Sequence, residues 1–207
     1  GANAIAMGTS SVAAASNAIA MGNGAVANGD DALAIGRSAQ TANASTRQAI
    51  VIGSNASVGA NTQQSIAIGS GNIAGEGATV TGDQSIAIGG NVVVPGHSAV
   101  AIGGDDVNKA MLSTVTYTDK NGNTISNQNL RKAYSVLTGG TMTGYIPTTA
   151  SHGGVAYGVS AKAGNGGVAV GMGADSYSRA GSTDPLTNAV ALGMGARATL
   201  DNSVAIG

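Results

Sequence analysis

The chain has 207 residues and a formal net charge of −1, with 34 glycines, no cysteine, no Phe or Trp, and only 9% charged residues. An ordinary globular core of this length leans on large aromatic side chains, so this composition argues against one. The near-neutral balance excludes the basic face that nucleic acid or an anionic membrane surface would require. The missing cysteines exclude disulfides, iron–sulfur clusters and thiolate zinc.

From the first residues onward one hexamer dominates. A small or polar residue is followed by Ala, Ser or Gly, an aliphatic, Ala, a second aliphatic (once Tyr), and then Gly. Eleven copies end at Gly8, Gly22, Gly36, Gly53, Gly69, Gly89, Gly103, Gly158, Gly171, Gly193 and Gly207. Four of the ten gaps are 14 residues, and the rest are 13, 16, 17, 20, 22 and 55. Self-similarity at such a period marks a stacked solenoid. Within each copy, residues two apart share a face of a strand. In Gln64-Ser65-Ile66-Ala67-Ile68-Gly69 one face is large and apolar and the other small and apolar, so both are expected to be covered.

The closing glycine marks a turn. A weaker, smaller segment follows, as in Gly22-Asn23-Gly24-Ala25-Val26-Ala27, and reads as a second short strand. Two strands and two turns per copy make one coil of an all-β parallel β-roll of about eleven coils. At ~4.8 Å per step the rod is roughly 50 Å long. Longer gaps place extra residues in turns, as at Gly71–Asp83 and Gly173–Thr187. The aliphatics are assigned to the roll interior. The small face is assigned to a subunit contact through Ala4, Ala6, Ala67, Ala87, Ala101, Ala191 and Ala205; the reverse arrangement is kept open. A repeat stands at each end without a polar cap, as expected of a piece of a longer chain.

Between Gly103 and Gly158 the repeat stops. Three segments are therefore expected: roll repeats over 1–103, an insert over 104–152, and roll repeats over 153–207. Asp105-Asp106 reads as the cap of a short helix over 107–112. Thr114–Thr118 and Thr124–Ser126 read as a β-hairpin with Asn121-Gly122 at its tight turn. Residues 129–137 read as a second helix, stopped by Gly139-Gly140. The insert holds three tyrosines and four of the nine basic residues. Tyr and Arg dominate contact energy at interfaces. Tyr117, Lys120, Asn121, Arg131, Lys132 and Tyr134 are thus the candidate ligand contacts, set against a bracing role for the whole insert. Tyr177, Arg179 and Asp184 form a second surface patch.

No catalytic or metal-ligand constellation emerges. Gly-x-Gly, as at Gly193-Met194-Gly195, recurs with the repeat and does not open a helix, so it is not a dinucleotide loop. Asp30-Asp31 and Asp105-Asp106 do not recur coil by coil as a calcium roll demands, and they read as turn and cap residues. His97 and His152 bracket the insert without a nucleophile or acid at catalytic spacing, and read as solvated turn residues. Whether they meet is left open. Asn43-Ala44-Ser45 and Asn55-Ala56-Ser57 match glycosylation sequons as a Ser- and Asn-rich chain does by composition. The chain is read as no enzyme, with no cofactor.

Asn-Ser-Val-Ala-Ile-Gly at 202–207, with relatives at 64–69, 84–89 and 98–103, resembles the YadA-like head of trimeric autotransporter adhesins. The resemblance covers 1–103 and about 153–207. It implies a left-handed parallel β-roll, a homotrimer about the rod axis, and display at the bacterial cell surface outside the outer membrane. It further implies a role in virulence through attachment to host extracellular-matrix proteins or cell-surface receptors. This stretch itself is expected to touch neither membrane nor nucleic acid. The Gly-Gly-Asp-Asp opening at 103–106 resembles insertion motifs of such heads. Two other readings stand beside it. One is a structural spacer in a longer surface protein; the other is an ice-binding solenoid, which would need the regular threonine ladder this chain lacks.

Overall fold

A computed structural model of the chain describes residues 1–142 and 144–207. Two parallel sheets run its length. The first has eleven strands stacked in chain order, from Ile5–Met7 through Leu33–Ile35 and Val100–Ile102 to Val204–Ile206. The second has nine, from Val12–Ala13 to Asp175–Ser176. Register is uniform. Ala6 pairs with Ala20, Ala20 with Ala34, and Ala34 with Val51, and the column continues to Ala205. Nine of the coils place one strand in each sheet, and after Val190–Leu192 only a single bridge between Asp175 and Arg197 continues the second; this is the parallel β-solenoid anticipated from the repeat.

The interior is narrow, and that decides which face points inward. In one coil Ala18, Ala20, Ala25 and Ala27 all have no exposed surface, and the same columns hold Ala32, Ala34 and Ala39 in the next. A short coil closed by two tight turns brings the two sheets too close for Ile or Leu, so Ala and an occasional Val or Thr fill the space. The aliphatics alternate outward and are half-buried, as at Ile19, Met21, Leu33 and Ile35. The assignment of faces from sequence is therefore corrected. Ala67, Ala87, Ala101 and Ala191 have no surface left for a partner chain. Only toward the ends do Ala4, Ala6 and Ala205 keep some exposure.

The insert does not interrupt the roll. Val100–Ile102 pairs directly with Val155–Tyr157 in the first sheet. In the second, Val92–Val94 pairs with Thr148–Ala150. The roll thus resumes at Thr148, inside the stretch assigned to the insert, because Thr148 and Ala150 supply the two inward positions of a coil. Between lie helix α1 (Asn108–Leu112), an antiparallel hairpin (Thr114–Thr118 and Thr124–Asn129) and helix α2 (Leu130–Thr138).

Local details of the insert depart from expectation. The N-cap of α1 is Val107 and carries no side-chain hydrogen bond. Asp106 instead accepts from the Asn108 amide at 2.8 Å, and Asp105 accepts from Asn91 Nδ2 across the roll at 2.8 Å. The hairpin connection is longer than an Asn-Gly turn: it spans 119–123 and is organised by Asp119. Asn129 caps α2 by accepting from the Lys132 amide at 2.9 Å, and Gly139 ends it at φ +70°.

Candidate functional site

Three kinds of surface remain for function: the turns, the outward sheet faces and the insert. The first turn of each coil is built from two ladders. One residue per coil sits in left-handed backbone: Asn3, Asn17, Asp31, Gln48, Gln64, Gln84, Ser98, Gly153, Gly166, Asn188 and Asn202, all with φ between +51° and +62°. Asn, Asp and Gly tolerate that region best. Their side chains also bond along the rod: Asn17 Nδ2 donates to Asp31 Oδ1 at 3.0 Å, and Gln84 Nε2 to Gln64 Oε1 at 3.0 Å. This explains the polar first letter of the hexamer.

In several coils the residue before it adds a second ladder, in which a side chain accepts from the backbone amide one coil earlier. Asp30 accepts from Ser16 at 3.1 Å, Asp83 from Gln63 at 2.6 Å, and Asp201 from Thr187 at 2.8 Å. His97 and His152 occupy the same column. His97 Nδ1 accepts from the Asp83 amide at 2.9 Å, and His152 Nδ1 from the His97 amide at 3.2 Å. Both rings are exposed and stacked. They serve as rungs of a turn. Among the described residues no cluster of three or more His, Asp or Glu could hold a metal ion.

The closing glycines form a third column. At Gly36 φ is +131°, and a Cβ there would lie 2.6 Å from the carbonyl of Gly53 in the next coil. Backbone stacks directly on backbone, which only glycine permits.

The outward face of the first sheet carries two apolar columns. One runs from Ile5 and Ile19 to Val190 and Val204, the other from Met7 and Met21 to Leu192 and Ile206. Tyr157 is 57% exposed and Val155 40%, in the middle of this face. A continuous apolar strip of this length is far from the scattered exposure of a monomer surface.

In the insert the six candidate ligand contacts separate. Lys120 and Asn121 are exposed at the hairpin tip, and Tyr117 is half-buried on its first strand. Arg131 and Lys132 are exposed in the first turn of α2. Tyr134 is not a surface residue: at 7% exposed it packs with Val107, Met111 and Met142. Its cluster rests on Val159, Met172 and Met194 from the roll. Those three fill the position just after the closing glycine, which holds Thr9, Asn23, Arg37, Ser54 and Ser70 in earlier coils. The switch from polar to apolar in that column is the sequence signal for where the insert docks.

At the tip Asp119 accepts from the amides of Asn121 and Asn123, both at 2.9 Å, and from Asn123 Nδ2 at 3.1 Å. These bonds, the Asn123 amide foremost, hold its carboxyl below the ordinary carboxylate range. In the second patch Arg179 Nη2 meets Asp201 at 2.6 and 2.8 Å, and this bond lowers the Asp201 carboxyl. Tyr177 is half-buried and Asp184 exposed. No helix in the described residues is long and apolar enough to cross a membrane.

No curated protein matches the chain. The family described as YadA head domain repeat matches residues 1–25, 15–39, 74–91 and 187–207, on both sides of the insert. The matched segments are coils of the roll, with the inward alanines, the left-handed polar column and the stacked glycines described above. Repeat, fold and family match agree, and the matched coils are YadA head domain repeats, the units of YadA-like adhesin heads.

Proposed function

We propose that this head is a multivalent binding module that attaches a bacterial cell to host extracellular-matrix proteins or receptors, without catalysis. On this reading three chains associate through the outward apolar face of the first sheet. The observation that carries it is that face: eleven successive rungs of Ile, Val, Leu, Met and one Tyr, only half-buried within the single chain and openly exposed at Val155, Tyr157 and Val170. The roll interior is almost all Ala, and each Ala removes little apolar surface from water. At ~25 cal/mol per Å², the stability that a wider core would supply is here drawn from association. The aliphatics, and not the alanines, therefore line the proposed contact.

Three copies of each weak site around one axis multiply affinity by effective concentration. The hairpin tip, with Lys120 and Asn121, and the exposed start of α2, with Arg131 and Lys132, are the ligand contacts assigned within the insert. Absolute mass by light scattering over a dilution series tests the assembly. A species of three chains that persists on dilution is expected, and a stable monomer would overturn it. Binding of the intact head to immobilised matrix proteins, lost on combined alanine substitution of Lys120, Asn121, Arg131 and Lys132, tests the contacts. Unchanged binding would move them to the roll wall.

A further inference from the structure

Where α2 and the chain after it lie over the later coils, they leave a cleft of about 510 Å³. That size is within the ~300–1,000 Å³ typical of small-molecule sites. Its wall includes Lys162, Arg197 and Asp175, so cations outnumber the carboxylate by one. Asp175 is already engaged. Its Oδ1 accepts from the amides of Tyr177 and Ser178 at 3.0 and 2.8 Å, and its Oδ2 faces Arg197 Nε at 3.8 Å. Among the described residues Lys162 has no ion pair.

A second observation points the same way. Ser160 lines the cleft and is 4% exposed, yet its hydroxyl has no hydrogen-bond partner among the described residues. A buried hydroxyl without a partner is destabilising, so it is retained at a cost that a bound polar group would relieve. Gly195 lets α2 sit close on the roll at one wall of the cleft: a Cβ there would come within 2.7 Å of Thr138 Cγ2 and 2.9 Å of the Tyr134 hydroxyl. Lys162 and Ile146 are shared with an adjoining groove of about 240 Å³ that is walled by Tyr177. The Thr138 hydroxyl is taken up within α2, donating to the Tyr134 carbonyl and accepting from the Gly140 amide; Lys162, the partnerless Ser160 hydroxyl, Thr141 and a neighbouring aromatic thus border one depression made of two hollows that share Lys162 and Ile146.

We infer that this depression binds an acidic saccharide, with Lys162 taking a single carboxylate, Ser160 a ring hydroxyl and the Tyr177 groove a neighbouring sugar ring. The hydroxyls of Ser160 and Thr141, which can both donate and accept, match a sugar better than an acidic peptide side chain, which needs only the cation. A single uncompensated charge matches one carboxylate better than clustered sulfates. The inference names a ligand class for the adhesive head but does not need the trimer, whose failure the mass measurement would report separately.

The test is a saturation-transfer NMR titration of the whole 207-residue chain with four probes. They are a glucuronate–N-acetylglucosamine disaccharide, neutral diacetylchitobiose, an O-sulfated disaccharide, and N-acetyl-aspartate amide. The uronate disaccharide is expected to bind best. Lys162→Gln should weaken it about tenfold or more, the scale of a lost charged hydrogen bond. Ser160→Ala should weaken it severalfold without lowering the unfolding midpoint, which a merely structural hydroxyl would not do. Arg47→Gln, on a distant turn, should leave it unchanged. Four results would overturn the inference: equal binding of the neutral sugar, full affinity in Lys162→Gln, tighter binding of the sulfated sugar, or binding of the aspartate probe alone.

Discussion

His97 and His152, 55 residues apart in sequence, stack with ring centroids 5.1 Å apart and planes 20° from parallel. They sit on successive coils, at the two ends of the insert, and each offers Nδ1 to the backbone amide of the coil before. Asp30, Asp83 and Asp201 accept in the same way in three other coils, so at these rungs the side chain serves as an acceptor. His152→Phe keeps a ring for stacking but removes the acceptor from the His97 amide. It should cost about 1 kcal/mol, while His152→Asn, which restores an acceptor, should stay near wild type. Urea unfolding at one fixed protein concentration compares them. Equal stability of the Phe variant would mean that water satisfies the amide.

The stacked glycines make a harsher prediction. Gly36 and Gly122 both have positive φ, at +131° and +82°, but nothing lies within 4 Å of a Cβ at Gly122. Gly122→Ala therefore reports the backbone term alone, about 1–2 kcal/mol, and only locally at the hairpin. Gly36→Ala adds a clash with the Gly53 carbonyl and should lose more than about 3 kcal/mol in all. Similar midpoints for the two would show that the coils can part without penalty.

The division of faces yields a paired test at adjacent residues. Ala101 has no exposed surface, whereas Ile102 is half-buried and points outward. Ala101→Leu should destabilise each chain by at least 1–3 kcal/mol through overpacking. Ile102→Asp should leave the circular-dichroism spectrum of the roll intact while lowering the mass seen by light scattering. The opposite pattern would return the alanines to the subunit contact.

This pair also shows how far the sequence could be read. The period, the short strands and the turn glycines were legible because they repeat eleven times. The choice of interior was not, because Ile66-Ala67-Ile68 is apolar on both faces and polarity therefore could not orient it. Only the distance between the sheets, set by the tightness of both turns, excludes Ile from within. In the insert, α2 announced itself by Asn129 and Gly139, yet the burial of Tyr134 depended on contacts across the fold. Lys162 and Ser160 looked like ordinary repeat positions until α2 was placed above them.

Acid should release the Arg179–Asp201 link. The Asp201 carboxyl is held below its ordinary value chiefly by the Arg179 hydrogen bond. A carboxyl depressed in the fold contributes stability that is present above its unfolded pKa, about 3.9, and is lost as pH falls through the folded value. Between neutrality and pH 5 the link should thus be constant, and below about pH 4 it should fade. Both side chains are more than a third exposed, so salt should weaken it too. NMR titration of the Asp201 carboxyl carbon in wild type and in Arg179→Gln checks this. The variant should titrate higher, and coincident curves would refute the pairing.

The docking of the insert rests on Met172 and Met194, and this can be weakened without touching the roll. Burying a methionine is worth roughly 1.5–3 kcal/mol, and the neighbouring cluster is small: Val107, Met111, Tyr134 and Met142 are its buried members. Earlier coils carry polar residues at the same turn position, so Met194→Asn is compatible with the coil itself. The variant should keep the slow hydrogen exchange of first-sheet amides such as Val190 and Ala191. Amides of α1 and α2 should exchange faster, because the helices lose the surface that holds them down. If exchange in α2 is unchanged, the hairpin and helices hold together as a unit of their own. If first-sheet amides open as well, the insert braces the roll, and the bracing role weighed from the sequence gains over independent projection.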